Sequence, residues 1–155
     1  MRAGIGYDIH RLAADRRLVL GGVAIEHPTG LVGHSDGDVL LHAIMDALLG
    51  AANLGDLGAH FPSDEKAFAG VSSLGLLRRV GEKVRATGLV VGSLDATVIA
   101  EAPRIGPHVG AMREAIADAL GIRADRVSVK ATTNDGLGTV GAGDAIAALA
   151  IALLE

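Results

Sequence analysis

The chain has 155 residues, half of them apolar, with a formal net charge of −4 and no cysteine. That length suits one domain with a real core, and the missing cysteine excludes disulfide frameworks, thiolate zinc sites and cysteine nucleophiles. The mild acidity and scattered Lys and Arg argue against a nucleic-acid groove.

Residues 2–10 predict a first strand, in which Asp8 and His10 stand two apart and therefore share a face. Arg2, Asp8, Arg11, Asp15, Arg16 and Arg17 interrupt any signal-peptide pattern. Residues 17–25 predict a second extended segment, broken at Gly21 and Gly22. Asp38 is a natural N-cap for a helix whose apolar residues recur at 40, 41, 44, 45, 48 and 49. Asp38, His42 and Asp46 are spaced by four on that helix and share a face. Ser72 or Ser73 can cap a second helix running to about Arg85, with Gly88 just beyond it. In residues 89–99, Leu94, Ala96 and Val98 alternate with Ser93, Asp95 and Thr97, the pattern of a half-buried strand. Pro107 opens a third helix that ends by Gly121, and residues 127–133 predict another strand. Residues 144–154 favour helix by intrinsic propensity. Their apolar run, 145–154, is too short to span a bilayer as a helix. Aromatic residues make up 2% of the chain, so the core must be built from Ala, Val, Leu and Ile. So apolar a small chain is expected to hide part of its surface in an oligomer. These features predict a single domain over residues 1–155, cytoplasmic, with no membrane or nucleic-acid partner.

The chemistry concentrates in Asp8, His10 and His42. A strand-borne carboxylate and imidazole joined by an imidazole from a helix would give a two-nitrogen, one-oxygen site. One tetrahedral position then stays open, as in catalytic rather than structural zinc sites. The alternative is that Asp8 caps a turn and the histidines make ordinary polar contacts. Asp38 or Asp46 could orient a ligating imidazole through its second nitrogen, or act only as a cap and a solvated carboxylate. His34 and Ser35 precede the helix and offer donors to phosphate oxygens near a favourable dipole. His27, His60 and His108 have no motif around them and are read as surface or packing residues.

Longer motifs surround these residues: Gly4-Ile5-Gly6-Tyr7-Asp8-Ile9-His10-Arg11-Leu12, Gly33-His34-Ser35-Asp36-Gly37-Asp38, Leu41-His42-Ala43-Ile44-Met45-Asp46-Ala47-Leu48-Leu49-Gly50, Leu54-Gly55-Asp56-Leu57-Gly58, Ala100-Glu101-Ala102-Pro103-Arg104 and Lys130-Ala131-Thr132-Thr133-Asn134-Asp135-Gly136. With them the chain closely resembles the 2-C-methyl-D-erythritol 2,4-cyclodiphosphate synthase family of the non-mevalonate isoprenoid pathway, from Arg2 to the last strand. The resemblance implies an α/β sandwich: a four-stranded mixed sheet covered by helices on one side, with three such sheets facing inward as the prism of a homotrimer. It makes residues 145–154 a strand, against their propensity. The implied reaction converts 4-diphosphocytidyl-2-C-methyl-D-erythritol 2-phosphate to the cyclic 2,4-diphosphate and releases CMP, in active sites between subunits. The resemblance further implies that Asp8, His10 and His42 hold a divalent ion, with zinc expected, and that His34 and Thr133 stabilise the transition state. Substrate contacts are implied at Asp8, Ile9, His10, His34 and Ser35, at Asp56, Leu57 and Gly58, and at the flap residues Phe61, Pro62, Ser63, Asp64 and Glu65. Others are implied at Ala100, Glu101, Ala102, Pro103, Arg104, Ile105 and Gly106, the cytidine pocket, and at Thr132, Thr133, Asn134 and Asp135. Asp135 stands where the family commonly has Glu and would hold a second ion, magnesium or manganese, on the diphosphate. Two other readings use the same ligands: a metal-dependent phosphohydrolase giving linear products, and a non-catalytic, metal-stabilised nucleotide-binding trimer.

Overall fold

A computed structural model describes residues 1–62 and 70–155. Five strands form one mixed sheet: β1 (Arg2–Ala14), β4 (Thr29–Leu31), β5 (Val91–Ile99), β6 (Val127–Thr132) and β7 (Ala145–Leu154), in the order β4-β1-β7-β5-β6. Only β5 and β6 run parallel to each other; the remaining pairs are antiparallel. The four long strands are those expected. The fifth, β4, is a three-residue addition pairing only with the end of β1, from Leu12↔Leu31 to Ala14↔Thr29. Arg16 fixes it by donating from Nε to the Leu31 carbonyl at 3.0 Å. The extended segment around Gly21 and Gly22 is a hairpin of β2 (Leu18–Leu20) and β3 (Val23–Ile25). Its two turn glycines have φ values of 58° and 77°, which suits the primed turns of tight hairpins.

Residues 145–154 are a strand, paired with β1 on one side and β5 on the other. Tertiary context overrides the helical propensity of its alanines. At the sheet's centre, small side chains let helices approach closely, and Ile146, Ala148, Ala150, Ala152 and Leu154 are all buried.

The helices α1 (Val39–Ala51), α3 (Ser73–Ala86) and α4 (Val109–Leu120) make the second layer. Helix α1 lies on β1 and β7 and is covered in turn by α3. It is buried nearly all round, including Leu40, Leu41, Ile44, Met45, Leu48 and Leu49. Its seat on β1 is backbone against backbone. A methyl group at Gly6 would lie 1.9 Å from the Ala43 carbonyl oxygen, and one at Gly4 would lie 2.1 Å from that of Ala47. Only glycine permits such an approach. On α4, Gly121 ends the helix at φ 66°. Two shorter turns, α2 (Leu57–His60) and α5 (Gly138–Gly141), sit in the loops. The other face of the sheet is covered at one end by the short α5, whose Val140 packs on Ala145, Ala147 and Ile99, and otherwise exposes Ile5, Tyr7, Ile9, Leu149 and Ile151. No helix among the described residues is long and apolar enough to cross a membrane.

Asp38 begins α1 as expected, accepting the Leu41 amide at 3.1 Å. It also ties down the hairpin, accepting from Gly21 at 3.0 Å and Gly22 at 2.7 Å while fully buried. Burial pushes its carboxyl up to about 6 against the pull of the Gly22, Leu41 and Gly21 amides, and the charge of Asp36 pushes the same way. The folded value exceeds the unfolded one, so the stability from burying the protonated form is present below about pH 4 and lost as pH rises through 6. Between those limits the wild type is expected to lose about 3 kcal/mol relative to Asp38→Asn. Denaturant unfolding of both proteins from pH 4 to 7 measures this, and a difference independent of pH would refute it.

Candidate metal centre and nucleotide pocket

Asp8 and His10 emerge from β1 on the face that α1 covers, because Gly4, Gly6, Asp8, His10 and Leu12 alternate with the outward residues. His42, on the first turn of α1, comes down on the same spot. His10 Nε2 lies 2.9 Å and His42 Nδ1 3.0 Å from Asp8 Oδ2. The two rings meet edge to face, with centroids 5.0 Å apart. One ligand atom from each of the three residues lies within 4.8 Å of the other two. Burial raises the Asp8 carboxyl, but the hydrogen bonds and charges of both imidazoles outweigh it and hold the group well below the usual carboxylate range. His10 is raised: burial lowers it, and its hydrogen bond and charge contact with Asp8 win. A carboxylate kept ionised between two imidazoles is a donor set suited to a divalent ion.

The second nitrogens of the two rings are held by groups other than the expected carboxylates. His10 Nδ1 donates to the Gly37 carbonyl at 3.1 Å, which leaves Nε2 as its ligating atom. His42 Nε2 lies 3.0 Å from Ser35 Oγ and 3.3 Å from Ser73 Oγ. Asp38 and Asp46 are therefore corrected as partners of these imidazoles. Asp38 turns to the backbone amides described above. Asp46 accepts the Leu57 amide at 2.7 Å and joins α1 to α2, with its carboxyl raised by burial. Ser73 and Asp36, which complete the contact, were missed by sequence reasoning. The pair of serines at the start of α3 was the available signal: Ser72 supplies the cap position, leaving Ser73 for another task.

A cavity of about 270 Å³ opens beside the cluster, lined by His10, Gly33, His34, Ser35, His42, Leu57, Gly58, Phe61 and Leu76. His34 is exposed, whereas Ser35 is buried and turns its hydroxyl toward His42. Asp56 caps α2 through the Ala59 amide at 2.9 Å, and Pro62 is half-buried. Ile9 points to the opposite face of the sheet, and only its amide, donating to Asp8 Oδ1 at 2.9 Å, belongs to the cluster. Ser63, Asp64 and Glu65 lie outside the described residues.

A separate cavity of about 380 Å³ is lined by Ala100, Glu101, Pro103, Arg104, Ile105, Gly106, Pro107, Ala131, Thr132 and Thr133. Ala102 is exposed beside it. Glu101 organises its rim by accepting the amides of Asn134 at 2.9 Å and Gly136 at 3.3 Å. Asp135 is exposed at φ 54°, and its amide donates to Thr133 Oγ1 at 3.2 Å. The two cavities occupy opposite flanks of one sheet. Asp8 faces Ala148, which faces Val98, which faces Ala131. Three strand intervals are about 14 Å. His34 and Thr133 thus line different cavities of one chain. As for the remaining histidines, His60 Nε2 donates to the Leu54 carbonyl at 2.8 Å and His27 Nδ1 lies 3.0 Å from that of Thr29.

This fold and this cluster define a class of protein: an α/β chain with a two-histidine, one-carboxylate centre beside a loop-walled cavity. Residues 1–155 match the model of the YgbB family. The 2-C-methyl-D-erythritol 2,4-cyclodiphosphate synthases of Thiobacillus denitrificans and Gloeobacter violaceus are 56% and 57% identical over 155 residues, all of this chain and 97% and 95% of theirs. Among solved structures, a 2C-methyl-D-erythritol-2,4-cyclodiphosphate synthase in a CDP-bound form superposes with a TM-score of 0.91 at 35% identity, covering 99% of this chain and 100% of that one. The bifunctional IspDF of Campylobacter jejuni superposes with a TM-score of 0.95 at 39% identity over 99% of this chain, which spans 42% of that larger protein. The chain belongs to the YgbB family and is an enzyme of the cyclodiphosphate-synthase type.

Proposed function

We propose that this chain converts 4-diphosphocytidyl-2-C-methyl-D-erythritol 2-phosphate to 2-C-methyl-D-erythritol 2,4-cyclodiphosphate and CMP, in the cytoplasm, as a homotrimer. The observation that carries the reading is the Asp8–His10–His42 cluster opening onto the cavity that His34 lines. In the reaction an oxygen of the 2-phosphate attacks the β-phosphorus, the β-phosphorus–oxygen bond toward the α-phosphate breaks, and CMP leaves with that oxygen. Such an intramolecular transfer asks the protein mainly to hold the attacking group in line and to neutralise charge. Asp8, His10 and His42 would hold a divalent ion, zinc by the character of the donors, which when bound supplies Lewis-acid polarisation of a phosphate oxygen. His34 donates to the phosphates from the metal side, and the Thr133 hydroxyl does so from the nucleotide side. The cavity of residues 100–106 takes the cytidine, with backbone groups reading the base, and Asp56, Leu57 and Gly58 flank the polyol. Asp135 offers one exposed carboxylate to a magnesium or manganese ion carried by the diphosphate.

Two observations support the trimer. Ile5, Tyr7, Ile9, Leu149 and Ile151 make an exposed apolar face too contiguous for a lone soluble chain. The metal and nucleotide half-sites also sit on opposite flanks of the sheet, so a cyclic arrangement joins one copy's metal cavity to the next copy's nucleotide cavity. Product analysis with the cytidyl substrate, with and without a chelator, tests the function. Cyclic diphosphate and CMP are expected, and both are expected to disappear on metal removal and return with zinc. A linear product would favour the phosphohydrolase, and undiminished turnover after complete metal removal would overturn the reading.

A further inference from the structure

We infer that Asp36 and Ser73 are positioning residues that fix the proton on His42, and so decide which of its nitrogens can bind the metal. The inference rests on the metal reading proposed above. Ser73 is fully buried, and its hydroxyl donates to Asp36 Oδ1 at 2.5 Å, while its amide donates to Asp36 Oδ2 at 2.9 Å. A third donor, the Asp38 amide, reaches Asp36 Oδ1 at 3.2 Å. A carboxylate can only accept, so the single Ser73 proton points at Asp36 and the Ser73 oxygen shows lone pairs to everything else.

Two groups meet those lone pairs: His42 Nε2 at 3.3 Å and Ser35 Oγ at 3.2 Å. Ser35 then donates its own proton to Ser73, since Ser73 has none to give back. The Ser35 oxygen is left to accept from the Gly37 amide at 3.4 Å and from His42 Nε2 at 3.0 Å. With Ser35 donating to Ser73, both hydroxyls present acceptors to Nε2, which then carries the proton. Nδ1 donates to Asp8 Oδ2 at 3.0 Å, and with Nε2 committed to the serines it is Nδ1 that would give its lone pair to a metal ion, whose entry displaces that bond to Asp8. Without the carboxylate at 36, either hydroxyl can rotate and donate to Nε2, which moves the proton to Nδ1 and blocks ligation. The direction of the whole chain of bonds thus comes from one carboxylate that does not touch the imidazole.

The test uses full-length wild type, Ser73→Ala and Asp36→Asn, titrated with zinc against a chromophoric chelator. Imidazole nitrogen–proton spectra of the zinc-loaded proteins accompany the titrations. Wild type is expected to take up one zinc per chain, with a His42 Nε2 proton protected from exchange. Both variants are expected to bind zinc about 10–100-fold more weakly and to lose that protection. Should Asp36→Asn fail to fold, Ser73→Ala removes one oxygen only and carries the same expectation. Wild-type affinity and a protected Nε2 proton in Ser73→Ala would overturn the inference and leave the metal reading intact. Failure of wild type to take up zinc would overturn both.

Discussion

His42→Ala is expected to lose the bound divalent ion and to cut kcat/KM for CMP release by at least ~10³. A metal-polarised phosphoryl oxygen contributes several kcal/mol of transition-state stabilisation, and each 1.4 kcal/mol or so is about tenfold in rate. The remaining two ligands cannot compensate. His10 is fixed by the Gly37 carbonyl and Asp8 by its place on β1, so neither can move into the position that α1 supplies. Elemental analysis of the purified variant, beside CMP release followed by chromatography, checks both halves of the expectation. The fold should persist, since His42 sits at the edge of the core rather than in it. A variant with full metal content and normal turnover would remove these residues from the chemistry altogether.

The second large effect is a recovery. His42→Ala and Thr133→Val should each be inactive alone, because one lacks the metal half and the other the hydroxyl of the nucleotide half. Unfolded, mixed in equal amounts and refolded together, they should regain activity at about a quarter of the interfaces of a cyclic trimer, where an intact metal half meets an intact nucleotide half. The expectation rests on the 14 Å or so that separates the two cavities across the sheet of one chain. Multi-angle light scattering on the same samples reports the assembly. A monomer at micromolar concentration, or no recovery from a mixed trimer, would refute shared sites.

The residues of the candidate metal cluster were legible because they obey the two simplest periodicities. Asp8 and His10 follow the alternation of a strand, and His42 lies one turn into a helix whose cap, Asp38, could be named in advance. The strands β1, β5 and β6 and the three main helices showed for the same reason, whereas the last strand followed from the family resemblance. What escaped was whatever depends on chain segments meeting from afar. Ser73 reaches His42 across 31 residues and Asp36 across 37. No local pattern announces such contacts, so the nearer carboxylates, Asp38 and Asp46, took the role in the reading of the sequence. Asp38 was half understood: its capping of α1 followed from position, but its grip on Gly21 and Gly22 follows only from the folded hairpin. The strand β4 has three residues, one of them Gly30, and too short a run to show alternation. The last strand was read against its composition. Its alanines make sense only beside two partner strands and a helix pressed close upon them.

The seating of α1 on Gly4 and Gly6 gives the candidate metal centre a fixed datum. Where two elements are held apart by interdigitating side chains, each substitution in the packing changes the gap, and whatever spans the gap drifts with it. Here the strand and the helix meet as main chain, Gly6 and Gly4 against the Ala43 and Ala47 carbonyl oxygens one turn apart, with no strand side chain at the contact to be exchanged for a larger or smaller one. Asp8 and His10 follow directly along the strand from that contact, and His42 immediately precedes it on the helix. The aliphatic residues beyond can exchange among Val, Leu and Ile, with the core relaxing on its far side, while the reach from imidazole to carboxylate stays constant. A precise centre is thereby carried on an otherwise negotiable interior.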